Sequence, residues 1–477
     1  MPPPFRTLRV PAVLLAGAAV LAGTSLISRT AASGGPLVMD ERIASLPQLT
    51  VQDASVVRSR YIAVDFNALP TGSRRTPLAR EQTFAIELFP DLTVQAVLDR
   101  LEPNRSGVSW VGHVDGVPMS SVTLVYSNGL MSGSVVMPGG VYQIRPAPEA
   151  DRLARSLPGR ELHVVSEINQ AALPREAEPV AVDFGGAPAP DVSPLADSGD
   201  FIDLMVVYTP LALTNAGGPT GITNLINLGV AETNASFANS GVRPRIRLVH
   251  IEPVTYVESS AFSTSLNDLR FGNGALGNVP ALRNAHGADL VMMLVHPPSP
   301  DACGIAFVPS SVTVSLAAVG VNVVDTGCVS PSFTFAHELG HNMGAHHDWY
   351  VSSSVLPFTY GHGYVNPDPG QRWRTIMAYP DRCSSQGFSC TRLPFWANPD
   401  NRVNPFCSGR GFNCAQPFWF LPGVPMGVPG GTRSNCRVGD ALASPTCDAD
   451  DTRALNNTAS TIANYRTSVQ PAGARVR

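Results

Sequence analysis

The sequence predicts an α/β (α+β) chain in two parts. A small, hairpin-rich α+β domain comes first. A larger domain follows, built on a mixed, mostly parallel sheet with a histidine-bearing helix. Three observations predict this. The turn dipeptides Asp115-Gly116, Asn128-Gly129 and Gly139-Gly140 separate β-rich runs in the first third of the chain. Strand-like and helix-like runs alternate from Phe201 to Val295, the pattern of a sheet with helices packed on it. Residues 337–348 then read His-Glu-Leu-Gly-His-Asn-Met-Gly-Ala-His-His-Asp, with two histidines at helical spacing.

In chain order, Arg6 and Arg9 precede an apolar run from Val10 to Ile27, and the small residues Thr30, Ala31 and Ala32 follow. That order of charged, apolar and small residues predicts a secretory signal over 1–32. Gly17, Gly23, Thr24 and Ser25 interrupt the run and disfavour a stable membrane anchor. Thr83–Phe89 alternates like a strand. Thr93–Leu101 reads as a short amphipathic helix. Ser121–Tyr126 and Met131–Met137 read as adjacent antiparallel strands. Residues 177–200 are rich in Pro, Ala and Gly and hold no basic residue, which predicts an exposed linker. The expected layout is therefore signal 1–32, α+β domain 33–178, linker 179–200, main domain 201–470 and tail 471–477.

In the main domain, Phe201–Thr209, Ile246–Ile251 and Ala288–Val295 read as strands. Ile222–Ala238 and Thr452–Tyr465 read as helices. His337 and His341 fall on one face of a helix, where both imidazoles can reach one zinc ion at about 2.0–2.1 Å. Glu338 lies beside the first ligand, placed to take a proton from a metal-activated water and return it to the leaving amine. Gly344 can end the helix in the left-handed conformation and turn the chain back. His347, six residues after His341, then becomes the third ligand, and His346 is left as a surface or supporting residue. Four of the ten histidines lie within these eleven residues. Unpaired imidazoles are costly to bury, so an ordinary core helix does not concentrate them this way.

Residues 375–379 read Thr-Ile-Met-Ala-Tyr about thirty residues further on. With the long histidine motif, this resembles a metzincin zinc protease and its Met-turn. Residues 336–348 most resemble the reprolysin (adamalysin) group, in which Asp follows the third histidine. The resemblance implies a metzincin-like catalytic domain with a zinc-binding helix, and places Met377 beneath the histidines as structural support. Tyr379 departs from the reprolysin pattern. It stands where the astacin and serralysin groups carry a metal-facing tyrosine, and its two readings are that contact or plain packing. The mixture is similar to bacterial peptidyl-Asp metallopeptidases, a group that cuts before acidic residues; Arg372 and Arg374 are arginines that would favour such residues. Gly304–Val308 resembles the edge strand to which reprolysin substrates add by backbone hydrogen bonds.

The resemblance implies a secreted zinc metalloendopeptidase acting on proteins or peptides. Domain 33–178 then reads as a propeptide that inhibits its own enzyme. It has no cysteine, so inhibition must use another ligand or steric cover. Net charge is −4, with all 33 basic residues arginine, which argues against nucleic acid. All eight cysteines lie between Cys303 and Cys447, an even number that suggests disulfides in an exported chain. Eight cysteines leave 105 pairings open; Cys383–Cys390, Cys407–Cys414 and Cys436–Cys447 are candidate local bridges, and Cys303–Cys328 would be a longer one. Calcium would have only the acidic cluster Asp448, Asp450 and Asp451 to support it. Two rival readings are a secreted adhesion or binding protein on a metzincin scaffold, and a non-peptidase zinc hydrolase.

Overall fold

The computed structural model describes residues 37–38, 53–66, 83–104, 106–148, 151–152, 161–182, 197–366, 368, 372–403, 415–416 and 424–470. The expected signal, most of the expected linker, the tail and the Cys407–Cys414 pair lie outside these residues. Among the described residues no helix is long and apolar enough to cross a membrane.

The N-terminal part is a nine-stranded antiparallel sheet in the order β1-β2-β9-β8-β7-β6-β5-β4-β3. Its strands are β1 Leu37–Val38, β2 Val56–Val64, β3 Thr83–Phe89, β4 Leu92–Pro103, β5 Val108–Val114, β6 Ser121–Ser127, β7 Leu130–Met137, β8 Gly140–Pro146 and β9 Glu161–Ile168. The β6–β7 hairpin forms as expected, with Asn128 and Gly129 both at positive φ in its turn (47° and 79°). The expected helix over Thr93–Leu101 is instead part of β4, paired with strands on both sides. A register shift between Leu98 and Arg100 breaks the period-2 alternation there, and the bulge makes the apolar spacing look helical. This part is accordingly a β-sheet rather than α+β.

The second sheet has the order β10-β14-β15-β13-β11-β12. Its strands are β10 Val180–Val182, β11 Phe201–Tyr208, β12 Arg245–Pro253, β13 Leu290–Val295, β14 Gly304–Pro309 and β15 Val321–Asp325. β12, β11, β13 and β15 run parallel, and β14 is antiparallel to β15. Strand β10 lies at the start of the stretch expected as an exposed linker. Its alternating Val-Ala-Val can satisfy the open edge of β14, and the composition of the whole stretch hid those three residues.

Helix α1 (Pro219–Ser240) lies between the two sheets, and helix α2 (Phe262–Phe271) packs on the second sheet through Phe262, Leu266 and Leu269. On one side of α1, Val111 and Val125 of the first sheet meet Leu228, Ala231 and Ala235. On the other, Gly229 lets the Phe335 ring approach so closely that a Cβ would lie 2.6 Å from it. Buried polar groups on α1 are tied to the first sheet and to the segment before the histidine helix. Asn224 donates to the Leu130 carbonyl at 2.9 Å, and Glu232 accepts from Ser134 at 2.5 Å and from Ser330 at 2.7 Å.

Burial pushes the Glu232 carboxyl up to about 8, against an ordinary 4.5. The folded state thus binds more protons between those values. The stability linked to Glu232 is fully present below about pH 4.5 and is lost as pH rises through about 8, with a slope of up to about 1.4 kcal/mol per unit. Glu232→Gln should remove that slope. Urea unfolding at pH 5.5 and 8.5 checks it, and identical pH dependence in the two proteins would refute the assignment.

Candidate active site

Helix α3 (Thr334–Asn342) carries the histidine motif and is buried along its whole length. Asn342 anchors it to the sheet, donating to the carbonyls of Phe307 at 2.8 Å and Val321 at 3.1 Å. The helix ends where the sequence predicts. Gly344 has φ +90°, and the Ala345 amide donates back to the Gly340 carbonyl at 2.9 Å. A Cβ on Gly344 would lie 2.9 Å from Pro357. Gly344→Ala should therefore cost about 1–2 kcal/mol from the left-handed conformation alone, with the close contact adding to it. Because the next carbonyl holds His341, zinc content should fall as well. Calorimetry and elemental analysis check this; an unchanged melting temperature would count against it.

His337, His341 and His347 converge. The Nε2 of His347 lies 3.1 Å from the Nε2 of both His337 and His341. Their Nδ1 atoms point away: His337 to the Ile376 carbonyl at 2.9 Å, His341 to the Ala345 carbonyl at 2.8 Å, and His347 to the Glu178 carboxylate at 3.2 Å. Each Nδ1 partner is an acceptor, so the ring protons sit there and three Nε2 lone pairs face one point. Neutral lone pairs so arranged repel unless a cation lies between them. Three nitrogens bound tetrahedrally to zinc lie about 3.3 Å apart, close to the spacing present. Burial holds His337 down to about 3 and His341 well below its ordinary range, so both are neutral and able to ligate. The donor set fits zinc.

Glu338 stands beside this point, fully buried, and neither carboxylate oxygen has a hydrogen-bond partner. A buried carboxylate without partners is expensive, so its position calls for a polar group supplied from outside the chain. Met377 is buried beneath the helix, its sulfur 2.8 Å from where a Gly340 Cβ would stand. Asp348 ties the two segments together, accepting from the Tyr379 amide at 2.8 Å and from the Tyr350 amide at 3.1 Å. His346 is buried rather than on the surface and bonds the Leu356 carbonyl. His362, which the sequence did not single out, stacks on Trp349 at 3.9 Å and holds the His347 carbonyl at 2.7 Å.

Residues 175–182 run along β14 beside this site. The Cys303 amide donates to the Arg175 carbonyl and the Ala177 amide to the Gly304 carbonyl, both at 2.8 Å. β10 then continues parallel to β14, with Val180 opposite Phe307. The Tyr379 ring lies 4.1 Å from that of His347, and its hydroxyl donates to the Glu176 carbonyl. The Glu176 carboxylate is buried against Arg392 in a bidentate pair, at 2.5 and 3.1 Å. Of the arginines flagged by sequence, Arg374 donates to the Ala378 carbonyl and Arg372 lies over the Phe388 ring.

Residues 200–404 match the family described as metallo-peptidase family M12B, reprolysin-like. A peptidyl-Asp metalloendopeptidase of Stenotrophomonas maltophilia is 31% identical over 73% of this chain and 71% of its own length. The chain belongs to the reprolysin-like metallopeptidases. A second S. maltophilia peptidyl-Asp metalloendopeptidase is 29% identical over 93% of this chain and 92% of its own. One from Xanthomonas campestris pv. campestris is 29% identical over 95% and 97%. The reprolysin-like chain is thus a zinc-dependent metalloendopeptidase acting on protein or peptide substrates. Among the described residues three disulfides form: Cys303–Cys328, Cys383–Cys390 and Cys436–Cys447. The carboxylates considered for calcium accept backbone amides: Asp448 from Gly431 and Arg433, Asp450 from Arg453, and Asp451 from Ala397.

Proposed function

We propose that this peptidase is exported and made as a zymogen, with His337, His341 and His347 as zinc ligands and Glu338 as the general base. The observation that carries this is the convergence of three Nε2 atoms beside a partnerless carboxylate, with the chain's own residues 176–182 bonded to His347, Tyr379 and the edge of β14. Bound there, zinc supplies a Lewis acid and an activated water. Glu338 accepts the water's proton and delivers it to the leaving amine. Tyr379, released from the Glu176 carbonyl when the segment departs, is left with a free hydroxyl at the edge of the site.

Residues 33–178 act as the propeptide and 179–200 as its link to the catalytic domain, 201–470. Inhibition needs no cysteine, because the segment around Glu176 and β10 occupies the edge of β14 where a substrate strand would add. Export is supported by the charged, apolar and small-residue order of 1–32 and by the disulfides. The likeness to peptidyl-Asp metalloendopeptidases supports an aspartyl preference in the substrate.

The purified full-length chain should hydrolyse casein at least tenfold more slowly than the same chain after cleavage in the linker and removal of the N-terminal part. A chelator should abolish the activity of the cleaved form. Equal rates before and after cleavage would end the zymogen reading. Chelator-resistant hydrolysis would end the zinc reading.

A further inference from the structure

The Glu176–Arg392 pair lies beside the reacting groups. Both side chains are nearly solvent-free, at 3% and 2% exposure. Arg392 is held from behind, donating to the carbonyls of Ser332 at 2.8 Å and Ala378 at 3.3 Å. Thr334, in the first turn of the histidine helix, donates to the same Glu176 carboxylate at 2.8 Å. Thr334 and Glu338 also share a wall. A Cβ on Gly304 would lie 2.7 Å from the Thr334 methyl and 2.6 Å from a Glu338 oxygen. The Glu176 side chain therefore occupies a pocket bounded by the segment before α3, the helix start and the turn that follows Met377. That pocket opens next to the carboxylate expected to handle the water.

A guanidinium buried this deeply needs an anion. Removing one partner of a buried ion pair leaves the other charge uncompensated, at a cost of several kcal/mol. Burial alone would raise the Glu176 carboxyl, yet the charge of Arg392 and their hydrogen bonds hold it well below the usual range. When residues 175–182 leave, Arg392 keeps its two carbonyl contacts and loses both bonds to the carboxylate. The planar fork then faces an empty pocket shaped for a carboxylate. An acidic side chain of a substrate restores what Glu176 supplied. A neutral side chain leaves the charge bare.

We propose that Arg392 is the residue that selects an acidic side chain beside the scissile bond, and that Glu176 is the built-in occupant of that pocket in the uncleaved chain. This rests on the peptidase reading above and goes beyond it by naming the selecting group. Arg374 is committed elsewhere, its own donor going to the Ala378 carbonyl.

The test uses the cleaved enzyme and paired peptides that differ only in Asp against Asn at one position next to the cut. The wild type should prefer the Asp peptide by at least 100-fold in kcat/KM. Arg392→Gln should bring that ratio to within a few-fold of one, whatever its absolute rate. A loss that is merely structural lowers both rates together and leaves the ratio standing, and that result would overturn the proposal. Because the Arg392 variant can fail to fold, a second measurement uses unaltered enzyme. A synthetic peptide of residues 170–182 should inhibit it at least 100-fold more strongly than the same peptide carrying Glu176→Gln; equal inhibition also overturns the proposal. Casein hydrolysis is followed in parallel. A wild type inactive on casein sinks the peptidase reading itself, whereas an active one indifferent to Asp and Asn sinks only the role of Arg392.

Discussion

Glu338→Gln should keep one zinc per chain and hydrolyse casein about 10²- to 10⁴-fold more slowly than the wild type, the usual contribution of a general base. The change is nearly isosteric, so helix α3 and the three imidazoles beside it should stay in place. It removes only the ability to accept and return a proton. The local packing makes this a clean experiment. Both Glu338 oxygens lack a hydrogen-bond partner, so no internal network collapses when one becomes an amide. Relief of a buried carboxylate should even raise the melting temperature slightly. Elemental analysis, calorimetry and turnover on the cleaved form separate these effects. A variant with normal zinc and near-normal turnover would place the base elsewhere.

Local signals carried much of this site. The four-residue histidine spacing on a helix, a glycine able to take positive φ, and a third histidine after it all act within eleven residues of chain. The structure brings the three rings together as that spacing implies. The turn dipeptides likewise marked the hairpins, because Asn128 and Gly129 state their backbone preference locally. Tertiary pairing decided the rest. β4 reads as a helix because its bulge disturbs the alternation, and only its two neighbouring strands make it β. Val180–Val182 gains strand character from the unfilled edge of β14, which no reading of a Pro- and Ala-rich stretch contains. Arg392 is the sharpest case. Its acidic partner is 216 residues away, so the sequence pointed to Arg372 and Arg374, which lie nearer the motif and make other contacts.

Removing a ligand should act on folding as well as on chemistry, and His347→Ala tests both. His347 stands outside α3, so its loss leaves the helix intact and takes one corner from the metal site. With two imidazoles left, zinc should fall well below one per chain and casein hydrolysis below detection. The stability argument is independent of activity. A ligand that binds only the folded state stabilises it by RT ln(1 + [L]/Kd), or about 2.7 kcal/mol at a hundred times Kd. In the wild type that gain is enlarged by the three facing lone pairs, which a cation converts from repulsion to attraction. A chelator should therefore lower the wild-type melting temperature by several degrees, on the order of 2–4 °C per kcal/mol for a domain of this size. The same chelator should leave His347→Ala unmoved, since there is little bound metal to withdraw. Full zinc occupancy in the variant would overturn the ligand assignment. An equal chelator shift in both proteins would mean that the stabilising ion sits somewhere other than among these three histidines.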